Sequence, residues 1–152
     1  MGLNPDYVGK QYPPLPAYEV GREKVREFAT AVGEGSPLCH DVAAARAAGY
    51  PDVIAPPTFA FVLSMKAMAG AMFDPDLGLD YSRVVHGEQR FDHRRPIHAG
   101  DSIVVSARIA DITQRGSNEF LTTECRLTDN DGHLVALTNE VIVSRGTAGG
   151  SQ

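Results

Sequence analysis

Two rhythms divide the chain: in the first half apolar positions recur every three or four residues, and in the second they alternate. In "GREKVREFATAVG", Val25, Phe28, Ala29 and Val32 fall on one side of a helix and Arg22, Glu23, Lys24, Arg26 and Glu27 on the other, with Gly33 placed to end it. "HDVAAARAAG" predicts a short helix begun by Asp41 and stopped by Gly49. "PTFAFVLSMKAMAGAMF", residues 57–73, is apolar on nearly every side. A membrane span needs about 20 apolar residues, and this run is shorter and carries Lys66, so a buried core helix is expected. Upstream, the three prolines of "DYVGKQYPPLPAYEV" predict extended chain, with a short strand at residues 18–20.

From residue 83 onward the period is two. Ile103, Val105, Ala107 and Ile109 share a face, as do Leu121, Thr123, Cys125 and Leu127; Val135, Leu137, Val141 and Val143 read as a third such row, interrupted by Asn139. Turns at "QRGSN" and "DNDG" make these an antiparallel meander, and residues 83–93 supply a fourth long strand. Helices first and strands afterwards, with one helix too apolar to face water, predict an α+β domain: a hot-dog fold, in which an antiparallel sheet wraps a central apolar helix. The domain is expected over residues 1–145, with 146–152 as a disordered tail. Exposed sheet edges predict a dimer that continues the sheet.

Composition narrows the partners. A chain of 152 residues fits one domain, and a net charge of −5 argues against nucleic acid, which demands a basic face. Cys39 and Cys125, with no apolar leader before them, read as reduced thiols of a cytoplasmic protein. Asp6 stands where an N-myristoylation signal requires Ser or Thr, so neither a lipid anchor nor a membrane partner is expected. His40, His86, His93, His98 and His133 show no paired ligand spacing, and no metal is expected.

Candidate chemistry gathers in "GEGSPLCHD". Cys39 beside His40 suggests a thiolate and its base, but adjacent residues seldom face one another, and Cys39 reads more simply as a small buried thiol. Glu34 with His40 could orient a water and shuttle its proton. Alternatively, Glu34 is an exposed loop residue and His40 packs; spacing leaves both open. Asp41 is better placed to cap the following helix. In "RFDHRRPIHAGD", Arg90, Arg94 and Arg95 either meet the phosphates of a coenzyme or carrier arm, or form a surface turn balanced by Asp92 and Asp101.

"GEGSPLCHD" resembles the GDxNPLHxD loop of the MaoC-like (R)-specific hydratases and (3R)-hydroxyacyl dehydratases. "EVGREKVREFATAVG", "HDVAAARAAGYPDVIAPPTFAFV" and "VVHGEQRFDHRRPIHAGDSIVV" extend the likeness from Tyr7 to Val143, toward the N-terminal-type branch and the partner subunits of actinobacterial (3R)-hydroxyacyl-ACP dehydratases. Aligned without a gap, Glu34 falls on the family's catalytic Asp, Ser36 on its Asn and Cys39 on its catalytic His, leaving His40 one place late. Where relatives read AHG, with a backbone N–H for the enolate, this chain reads "APPTF"; Pro56 and Pro57 have no N–H, so Thr58 or Phe59 would have to supply it.

The resemblance therefore implies a degenerate loop. It points to a lyase subunit of fatty-acid biosynthesis that dehydrates (3R)-hydroxyacyl thioesters, an acyl-ACP or acyl-CoA, binding or stabilising the acyl group while a homologous catalytic hot-dog subunit completes the site. Ser36, Pro57, Thr58, Phe59, Arg94 and Arg95 are the expected substrate-binding positions, and no cofactor is implied. The alternatives are a self-sufficient enoyl-CoA hydratase using Glu34 and His40, or a non-catalytic acyl-binding homodimer, with a hot-dog thioesterase behind them.

Overall fold

The computed structural model describes residues 2–149. Helix α1, Arg22–Ala31, buries Val25 and Ala29 and sets Phe28 edge-on to Phe59, with ring centres 5.3 Å apart. Gly33 takes the left-handed conformation (φ +76°), which lets the Glu34 N–H turn back to the Ala29 carbonyl at 2.8 Å. Helix α2, Val42–Ala47, starts at Asp41 as predicted, the carboxylate accepting from the Ala43 and Ala44 N–H groups.

The apolar run forms α3, Phe59–Met72, two residues shorter at its start than the sequence pattern, because Pro56 and Pro57 form the approach to the helix. Phe59, Ala60, Leu63, Ser64, Ala67, Met68 and Ala71 are buried, Phe61 is half-buried, and Met65 and Lys66 face outward, Met65 being 53% exposed. One flank of this helix therefore lies outside the wrap.

The sheet is antiparallel, in the order β1-β4-β5-β6-β3, with β2 also pairing β4. Its four long members are β3 (Val84–His93), β4 (Ser102–Arg115), β5 (Asn118–Thr128) and β6 (Leu134–Ser144). Two short strands, β1 (Gln11–Tyr12) and β2 (Tyr18–Glu19), lie along β4. The sequence signalled β2 only, since two residues of β1 carry no readable period. A register shift at Gly87 bends β3, and the far side of β3 is a sheet edge.

The inward rows predicted for β4 and β5 are buried throughout, and β6 requires a correction. Its buried row is Ala136, Thr138, Glu140, Ile142 and Ser144, while Leu137, Val141 and Val143 lie half-buried on the other face with Asn139; of the predicted row only Val135 is buried. The inner face admits polar residues because they satisfy one another. Glu140, fully buried, accepts from Thr138 Oγ1 (2.9 Å), Thr123 Oγ1 (3.1 Å) and Gln89 Nε2 (3.1 Å). Thr138 in turn meets Ser64 Oγ of α3 at 2.7 Å. At the C-terminal end, the Ala148 N–H reaches the Ser117 carbonyl and Thr147 Oγ1 donates to Glu119. Residues 150–152 of the expected tail lie outside the described residues.

Candidate functional site

Three segments are laminated at the N-terminal end of α3. Residues 53–55 run against 97–99, with Ala55 N–H to the Ile97 carbonyl at 2.7 Å and Ala99 N–H to the Val53 carbonyl at 2.9 Å. On the other side, the Ile54 N–H donates to the Leu38 carbonyl at 2.9 Å, which docks the "GEGSPLCHD" loop against the same strip. Arg26 of α1 holds the loop's end by donating to the His40 carbonyl at 2.9 Å.

Inside the loop every polar side chain is turned to local work. Glu34 Oε1 accepts the Ser36 N–H at 2.9 Å, and Ser36 Oγ accepts the Leu38 N–H at the start of a 3-10 turn, Pro37–Cys39. His40 Nε2 lies 2.8 Å from the Glu34 main-chain carbonyl, so Nε2 carries the proton and donates it there. The imidazole therefore addresses the backbone of Glu34, and the Glu34 carboxylate addresses the backbone of Ser36. Cys39 is buried, and burial, then the nearby Glu34 charge, pushes its thiol pKa above the ordinary value, away from a reactive thiolate.

At the approach to α3, Pro56 is buried and Pro57 exposed. The Phe59 N–H is spent on the Pro56 carbonyl (2.9 Å) and the Phe61 N–H on the Thr58 carbonyl (3.0 Å). Of the two donors that could stand in for the family's enolate contact, Phe59 is thus engaged, whereas the Thr58 N–H has no acceptor among the described residues.

A cleft of about 340 Å³ opens beside this point, lined by Ile54, Ala55, Pro57, His93, Arg94 and Arg95 with Pro96 and Ile97. Pro57 shares it with the adjacent pair Arg94 and Arg95 from much further along the sequence; Glu34, Ser36, Cys39 and His40 do not line it. Arg95 is bound through both terminal nitrogens to Asp101 (2.8 Å each), with Asp129 at 3.8 Å, and is a brace of the turn. Arg94 is exposed and 3.5 Å from Asp92, free to swing toward an anion. Arg90, the third arginine of the run, is exposed on β3.

His93 is the residue that sequence reasoning passed over. Its Nε2 donates to the Pro57 carbonyl at 2.9 Å, tying the end of β3 to the start of α3, while Nδ1 is buried without a partner among the described residues. The period-two step from Phe91, on which it stacks at 6.1 Å, was the available signal for its direction. Three ligand-type groups, Asp129, Asp131 and His133, do meet in the β5–β6 turn within 4.8 Å. Asp129, however, already accepts from the Asp131 and His133 N–H groups, the ordinary work of a turn aspartate.

Comparison with known proteins agrees with this geometry. Residues 6–138 match the family described as FAS1-like, dehydratase domain region. A UPF0336 protein of Saccharopolyspora erythraea is 55% identical over 148 residues, covering 97% of this chain and 95% of its own length. Among solved structures, a MaoC-like dehydratase superposes with a TM-score of 0.86 at 32% identity over 93% of this chain, which spans only 43% of that longer protein. The C-terminally truncated HadBC (3R-hydroxyacyl-ACP dehydratase) complex from Mycobacterium tuberculosis gives a TM-score of 0.80 at 29% identity, over 91% of this chain and 97% of that one. The chain belongs to the FAS1-like dehydratase-region family and has the MaoC-like hot-dog fold.

Proposed function

We propose that this chain is the acyl-binding, stabilising subunit of a (3R)-hydroxyacyl-thioester dehydratase of fatty-acid elongation, working on acyl-ACP beside a homologous hot-dog subunit that carries the acid/base pair. The observation that carries this reading is the state of the loop: a buried thiol stands at the family's histidine position, and the neighbouring imidazole is tied to a backbone carbonyl. The buried thiol does not act as the family's histidine does, and His40, one place late, has Nε2 committed to the backbone and only Nδ1 left to accept a proton. The likeness to a HadBC complex, a dehydratase made of more than one subunit, supports a partner.

In the assembled enzyme the partner's base removes a proton from C2 of the hydroxyacyl thioester. The C3 hydroxyl leaves with a proton from the partner's acid as water, and the C2–C3 double bond forms. The negative charge that develops on the thioester oxygen is held by backbone donors. This chain contributes the cleft beside Pro57, with Arg94 toward a phosphate of the carrier arm. The partner seats on the edge of β3 and the outward flank of α3. There Phe61, Met65, Met68, Met72, Tyr81, Val84, His86 and Ile142 border a hollow of about 260 Å³.

The test is hydration of an enoyl thioester by the chain alone and by the chain co-expressed with a hot-dog subunit whose GDxNPLH loop is intact. The chain alone is expected to be inert and the complex active, with activity lost when the partner's loop histidine is replaced. Turnover by the isolated chain at about 1–1000 per second, lost in His40→Ala, would establish the self-sufficient hydratase instead.

A further inference from the structure

Between β1 and β2, which both pair with β4, the chain runs as a strap, residues 13–17. The pairing on either side of it is uneven: the strap side takes six steps from Tyr12 to Tyr18, while β4 takes four from Ala107, opposite Tyr12, to Ile103, opposite Tyr18. The surplus lifts the strap off β4. Among the described residues its main chain makes no hydrogen bond between those two anchor points, and three of its five residues are prolines, which stiffen it.

Beneath the lifted segment lies a cavity of about 210 Å³ with Ile103 and Val105 as floor, Leu63 as wall and Leu15, Pro16, Ala17 and Tyr18 as roof. An apolar cavity of about 150 Å³ is large enough to take up benzene. At about 210 Å³ this one has room for a longer apolar group. Its rim carries one cation, Lys66, whose Nζ lies 4.8 Å from the centre of the Tyr18 ring and which pairs with no carboxylate among the described residues. Leu63 and Lys66 lie on roughly the opposite side of α3 from Met68 and Met72, so the cavity is separate from the flank offered to a partner.

We infer that the strap roofs a second ligand site, which takes an apolar chain ending in a carboxylate, the tail between Leu63 and Val105 and the carboxylate at Lys66. The ammonium over the Tyr18 ring gives up only a weak cation–π contact to meet a carboxylate, and the unbonded strap can rise to admit the tail. This site is independent of the dehydratase reading, because an acyl thioester has no free carboxylate at its activated end.

The experiment uses the full chain and decanoate as probe, with affinity from calorimetry and location from methyl NMR. One-to-one binding is expected, with shifts confined to Leu15, Leu63, Ile103 and Val105. Lys66→Glu should weaken it at least tenfold, and decanol and decyltrimethylammonium should each bind at least fivefold more weakly than decanoate. Ala17→Trp, a change on the exposed strap, should block the mouth and abolish binding while the thermal midpoint without ligand stays put. No binding, equal affinity in Lys66→Glu, or shifts centred on Met65, Met68 or Ile54 would overturn the inference. Hydration by the assembled complex reads the dehydratase proposal separately, so either can fail without the other.

Discussion

Glu140 is fully buried and answered only by neutral donors, two threonine hydroxyls and one carboxamide. An acceptor shared three ways fixes β3, β5 and β6 to one another, and through Thr138 and Ser64 it fixes them to α3. Glu140→Gln keeps the arrangement, since its oxygen can face Thr138 and Gln89 while its NH₂ donates to the Thr123 hydroxyl, which can rotate to accept. Glu140→Ala strands three buried donors at once. Chemical denaturation should therefore show a loss of about 1 kcal/mol or less for Gln and on the order of 3 kcal/mol for Ala. Equal losses for the two would mean that packing volume, and not the hydrogen bonds, is what Glu140 provides. The adjacent Cys125 thiol, pushed up to about 12 by burial and then by the field of Glu140, shares that sealed environment.

At the scale of elements, the lamination around the loop depends on a link from α1 to the strip at residues 52–55. Arg22 reaches Asp52 through Nε (3.0 Å) and Nη2 (2.8 Å), and Asp52 also accepts the Val53 N–H (2.9 Å). The Arg22 hydrogen bond, and then the Val53 N–H, hold the Asp52 carboxyl below its ordinary range against the opposing effect of burial. A folded-state pKa below the unfolded value of about 3.9 gives stability that is fully present above that value and is lost as pH falls through the lowered pKa. Acid titration of stability should accordingly show a shallower limb below about pH 4 in Asp52→Asn, together with lower stability at neutral pH. Because Arg22 is half exposed, the difference should shrink in high salt. An unchanged acid limb would assign acid sensitivity to Asp74, Asp129 or Glu124, whose carboxyls are also lowered.

Across the whole molecule, the flank of α3 left outside the wrap and the free edge of β3 form one face, with Met65 (53%), Phe73 (70%), Tyr81 (60%) and Val85 (41%) exposed. Apolar side chains beside an unpaired strand are the surface that the proposed partner would cover. Met65→Lys should leave the isolated chain folded and abolish association with a hot-dog partner in size-exclusion chromatography with light scattering; a complex that survives would place the partner elsewhere. This architecture was legible because α1 and the β4–β5 faces follow a clean period, α2 is bracketed by Asp41 and Gly49, and α3 is apolar on nearly every side. The inner face of β6 was not, because apolar residues occupy both rows, Ala136 and Ile142 on one and Leu137, Val141 and Val143 on the other, and only the partners of Thr138 and Glu140 decide which row goes inside. In the candidate site, the capping role of Asp41 could be read from its place before an apolar run. The direction of His40 could not, since a loop has no period and its target is a backbone carbonyl.

The order of strands also sets a timetable for the nascent chain. β3 is synthesised before β4 and β5, yet its neighbour in the sheet is β6, the last strand made. The β4–β5–β6 meander closes through short hairpins and can form quickly, whereas β3 must wait for a contact across roughly fifty residues of chain, a separation that slows folding. Until β6 emerges from the ribosome, α3 has neither Thr138 to bind Ser64 nor a complete sheet to cover it. An apolar helix is then held open to chaperones and to other chains from the completion of α3 until β6 is made, and a chain truncated before Leu134 lacks the strand that completes its cover.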